Sequence, residues 1–70
     1  MNIRVRQFLL DLAAGKPALG TAIRARDESL IAEISQTVSE ENFASGDPDE
    51  EKLLRGAATY RLLVNAQPEE

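Results

Sequence analysis

Asp47, Asp49, Glu50 and Glu51 are the densest group of chemistry-bearing side chains in the sequence. Four carboxylates in five positions invite a divalent-cation site, since hard cations take several oxygen ligands. The spacing is not that of a calcium-binding hand, and Pro48 interrupts it. Helix initiation accounts for the same residues. Asp47 suits the N-cap, Pro48 the first helical position, and Glu50, three residues after Asp47, completes an acidic capping box. Asp49, Glu50 and Glu51 then face the positive end of the helix dipole. No metal ligand set is expected.

Glu40 and Glu41 form a second carboxylate pair. A catalytic carboxylate needs burial or a dedicated partner to move its pKa, and a polar helix end supplies neither. The sequence has no histidine and no cysteine, so Ser35, Thr37, Ser39 and Ser45 have no imidazole to activate them. Lys16 and Lys52 sit in polar surroundings. Neither an enzyme, nor a cofactor, nor a small-molecule substrate is expected.

Arg4, Arg6, Arg24 and Arg26 form two i, i+2 pairs. That spacing splays two side chains apart on a helix but puts them on one face of a strand. Ile3-Arg4-Val5-Arg6 alternates apolar and basic, which is also a strand pattern. Read as a strand followed by two helices, residues 2 to about 38 resemble the ribbon-helix-helix DNA-binding fold. The resemblance implies a dimer whose paired strands enter the major groove with Arg4 and Arg6 on the nucleic acid. The acidic remainder would then bind protein, as in an antitoxin. A helix-turn-helix is a poorer fit, because its recognition helix would begin with acids that repel phosphate.

The charge is unevenly divided. Residues 1–26 carry five cations against Asp11 alone, a net +4, and residues 27–70 carry three against eleven acids, a net −8. Two solvated faces that attract each other within the fold explain such a split, and so does a basic contact surface beside an acidic one. Phe8, Phe43 and Tyr60 are the only aromatic residues, which argues against base stacking. No run approaches the roughly 20 apolar residues of a membrane span. Asp11 breaks the apolar segment after the first arginines, so a signal peptide is not expected, and a cytoplasmic protein of bacterial or phage origin is.

Positioning elements follow from the hydrophobic period. Val5, Phe8, Leu9 and Leu12 fall at i, i+3, i+4 and i+7, which predicts a helix over about 2–14 in preference to the strand. Gly15 is its natural stop. Pro17 opens a short helix over about 18–26, or Thr21 caps one starting at Ala22. Leu30, Ile31, Ile34 and Val38 define a helix over about 28–42, with Asp27 as a candidate cap and Phe43 folding back over the core. The last helix, over about 48–65, has a tight stripe of Leu53, Ala57, Tyr60 and Val64 beside a second apolar row of Leu54, Ala58 and Leu62. Gly56, Ala57 and Ala58 make a narrow waist. Glu51 and Arg55 are spaced for an i, i+4 ion pair.

The expected fold is all-α: an antiparallel bundle of three to four helices, one domain over 1–65 packed around the last helix, with a disordered acidic tail over 66–70. A chain of this length buries only about 60% of its unfolded surface, so partner contacts matter to it. The expected function is non-catalytic protein–protein interaction, as a regulator, adaptor, inhibitor or accessory subunit, self-association included. Leu54, Ala58 and Leu62, with Arg4, Arg6, Arg24 and Arg26, are the expected partner-binding residues. The alternative is the dimeric DNA-binding regulator or antitoxin with its basic strand.

Overall fold

The computed structural model describes residues 1–65, and its regular elements are four helices: α1 (Ile3–Ala13), α2 (Ala18–Arg24), α3 (Glu28–Glu40) and α4 (Glu50–Asn65). The expected tail over 66–70 lies outside the described residues. The all-α expectation and the order of elements hold: α1 is one residue shorter at each end, α2 and α3 start where expected and end two residues early, and α4 starts two residues late and keeps its C-terminal limit.

Residues 3–6 are the first turn of α1, so the strand alternative is corrected. The four-residue alternation loses to a helical stripe that continues through Leu12. Val5, Phe8, Leu9 and Leu12 are all buried. The side chain of Asn2 caps the start by accepting the Arg4 N–H at 2.7 Å. At the other end Gly15 takes φ +83°. Its N–H reaches the Leu12 carbonyl at 3.0 Å, and the Lys16 N–H reaches the Asp11 carbonyl at 2.9 Å. These bonds close a Schellman turn, in which glycine pays no Cβ penalty.

The same closure recurs after α2 without glycine. Arg26 adopts φ +55°, its N–H bonds to the Ile23 carbonyl, and the Asp27 N–H bonds to Ala22. This stops α2 at Arg24 instead of Arg26. Thr21 lies inside α2, with its hydroxyl donating to the Pro17 carbonyl at 3.0 Å, so it is not a cap. Asp27 does cap α3, accepting the Leu30 N–H at 3.3 Å. Glu41, at φ +65°, ends α3 two residues early, and Phe43 packs half-buried against the core.

The start of α4 departs from a full capping box. The Asp47 side chain accepts the Asp49 N–H at 2.8 Å, as a cap should. The Asp47 N–H, however, donates to the Ala44 carbonyl at 3.0 Å, so Glu50 has no donor to reach back to. The Glu51–Arg55 ion pair does not form among the described residues. An exposed pair gains only a few tenths of a kcal/mol, which is close to the entropy of holding two long side chains.

The hub is α1, not α4. Helix α1 packs against all three others, and its contact with α4 is the most extensive in the fold. Gly56 is the reason. A Cβ there would sit 2.0 Å from the Leu9 carbonyl oxygen, so the two backbones meet where the side chain is missing. Leu53, Ala57 and Tyr60 close around the crossing. Tyr60 meets Phe8 edge-on at 6.1 Å between ring centroids and shares a 2.6 Å hydrogen bond with Ser35. Arg61 donates to the Val38 carbonyl at 2.8 Å. These bonds join α3 to α4. Val64 lies beyond them and is 44% exposed, so the expected inner stripe ends at Tyr60. No helix among the described residues is long and apolar enough to cross a membrane.

Candidate interaction surface

The arginines separate into three kinds. Arg6 grips the start of α4 with its planar fork: Nε and Nη2 lie 3.1 Å from the two carboxylate oxygens of Asp47, and Nη2 lies 2.7 Å from Asp49. The hydrogen bond to Asp47 holds the Arg6 guanidinium above its ordinary pKa. In return, the bond from Arg6, followed by that from the Asp49 N–H, holds the Asp47 carboxyl below the usual aspartate range. Asp47 and Asp49 therefore converge on a guanidinium. Arg4 pairs with Asp27, the cap of α3, while the Asn2 amide donates to Glu33 at 3.2 Å. The first basic pair thus ties α1 to α3 and to the start of α4. Arg24 and Arg26 are exposed and, among the described residues, paired with no acid.

Two surfaces remain as candidates. One is a groove of about 530 Å³ bounded by α1, α2 and the start of α3. Phe8, Ala18, Ala22 and Leu30 line it, and the Arg4–Asp27 and Lys16–Asp11 pairs stand at its rim, the latter at 3.9 Å. Its charges neutralise one another, and it holds no buried polar side chain. Its signal was the i, i+4, i+7 spacing of Ala18, Ala22 and Ala25, small residues that leave space where α2 faces α1.

The other is the outer face of α4. Leu54 is 43% exposed and Leu62 is 71% exposed, with Ala58 open between them. Leu63 is also exposed, but the helical period places it about 140° from Ala58, on the side of Gly56 and off this row. On a helix with 3.6 residues per turn, Arg55 and Arg61 lie about 60° to either side of Ala58. The two arginines thus flank the row. Arg55 has no ion-pair partner among the described residues, and Arg61 is held by one nitrogen to a backbone carbonyl.

Among the described residues no group of three or more His, Cys, Asp or Glu side chains is placed to hold a metal ion. No buried side-chain nitrogen or oxygen among them lacks a hydrogen-bond partner. The chain matches no family model, and comparison with curated proteins and with solved structures yields no match.

Proposed function

We propose that this protein works by binding another protein, without catalysis, and that the outer face of α4 makes the contact. The carrying observation is the half-covered state of α4. Its inner residues Leu53, Ala57 and Tyr60 are buried, while Leu54, Ala58 and Leu62 form a second row in solvent. A row of large apolar side chains at helical spacing, rimmed by polar groups, is the kind of surface that marks an interaction site. Either another protein or a second copy of this chain satisfies the reading.

Sedimentation over a wide concentration range, with affinity capture and mass spectrometry from the native host, tests it. Leu54→Asp and Leu62→Asp are expected to remain folded and to lose the partner or the self-association. A strict monomer that captures nothing dependent on Leu62 would overturn the proposal. So would loss of fold in both variants without a separate binding defect.

A further inference from the structure

We propose that α2 is a strap over the groove beside α1, and that it opens by itself while α1, α3 and α4 stay assembled. The four largest fully buried side chains, Val5, Leu9, Ile34 and Leu53, all belong to those three helices. So do the contacts that tie elements together. The Gly56 crossing joins α4 to α1, and Tyr60 with Ser35 and Arg61 with Val38 join α4 to α3. Asn2 with Glu33 joins the start of α1 to α3. None of these contacts passes through α2.

Helix α2 is held differently. Of its seven residues, only Leu19 and Ala22 are buried. Among the described residues, none of its side chains bonds to another helix, and the Thr21 hydroxyl turns back to Pro17. Its N-cap, Pro17, supplies no side-chain bond to the first turn. A helix of about two turns does not persist alone in water, so releasing Leu19 and Ala22 also melts it. Each end is a left-handed turn, at Gly15 with φ +83° and at Arg26 with φ +55°. Just outside these turns, exposed pairs fasten Lys16 to Asp11 of α1 and Asp27 to Arg4 of α1. Such pairs are weak and screened by salt, so they place the ends without holding the middle down. The groove of about 530 Å³ is the space that α2 leaves towards α1 and α3. Opening widens it and bares Phe8 and Leu30, which line it. The strap thus sets how much apolar surface this side of the molecule presents, independently of the outer face of α4.

Amide hydrogen exchange of the full chain, followed by NMR in water and in low urea, tests the strap. Thr21, Ile23 and Ala25 report the start, middle and end of α2. Their protection is expected to be alike and at least about a hundredfold lower than that of Leu9, Ile34 and Tyr60. It should also be unmoved by urea, because a local opening exposes little surface, whereas the core amides should lose protection as urea rises. Leu53→Val weakens a contact that the closed and open states share. It should lower protection at Leu9, Ile34 and Tyr60 by about fivefold and leave α2 unchanged. Equal protection in all four helices, falling together in urea, overturns the proposal, because α2 then opens only with the whole fold. Protection at Ile23 more than about tenfold above both Thr21 and Ala25 also overturns it, since the helix then frays from its ends and does not open as a unit.

Discussion

Gly56 shows most plainly how one residue sets the fold. Glycine inside a helix costs about 1 kcal/mol relative to alanine, so local propensity alone would favour replacing it. Here the missing Cβ is the space occupied by the Leu9 carbonyl. A backbone atom cannot swing aside as a flexible side chain can. Gly56→Ala is therefore expected to destabilise by about 3 kcal/mol, the upper part of the overpacking range, despite the gain in propensity. Urea unfolding of the two chains checks this, and an unchanged midpoint would remove the close crossing from the account. The waist of small residues was legible in the sequence. Its partner was not, because nothing local to Gly56 says that Leu9, nearly fifty positions earlier, comes to meet it. Ala58 makes the same point in reverse: it belongs to the waist by sequence, yet it faces solvent.

At the level of elements, the start of α4 combines a local signal with a distant one. Asp47 caps the helix through the Asp49 N–H, which its position beside Pro48 foretold. It also receives Arg6 from α1, which only the fold brings within reach. Because its folded pKa lies below the ordinary value of 3.8, Asp47 contributes stability at and above that pH, and the contribution is lost as pH falls through the lower folded value. The melting temperature is thus expected to fall in acid, below about pH 4. Asparagine caps a helix about as well as aspartate but carries no charge for Arg6. Asp47→Asn should therefore lower the melting temperature at neutral pH and flatten the acid limb, as thermal melts followed by circular dichroism across pH would show. An acid limb identical to the parent's would mean that other carboxylates govern it.

For the molecule as a whole, the choice of hub decides what is left outside. With α1 at the centre, α4 is covered along one side, and among the described residues no further helix packs on the other. Leu53 and Leu62 then have opposite roles although both are leucines of one helix. Leu53→Ala should cost about 2–5 kcal/mol, since its side chain is fully buried. Leu62→Ala should change stability by no more than about 0.5 kcal/mol. Denaturant titration of both variants separates them, and a large loss at Leu62 would show that this row belongs to the fold and not to a partner.

The helices, the stop at Gly15, the cap at Asp27 and the two apolar rows of α4 were determined by the sequence alone. Side-chain period, caps and left-handed turns act over one to five residues, within the reach of local rules. Tertiary structure decided the rest. It made α1 the centre through the gap at Gly56, and it turned Arg4 and Arg6 from a candidate basic surface into ties onto Asp27, Asp47 and Asp49. It left Arg55 and Arg61 beside an uncovered row of leucines. The physical reason is common to all three. A charge or an apolar side chain has its role set by what stands opposite it, and that is fixed by packing between segments far apart in the chain.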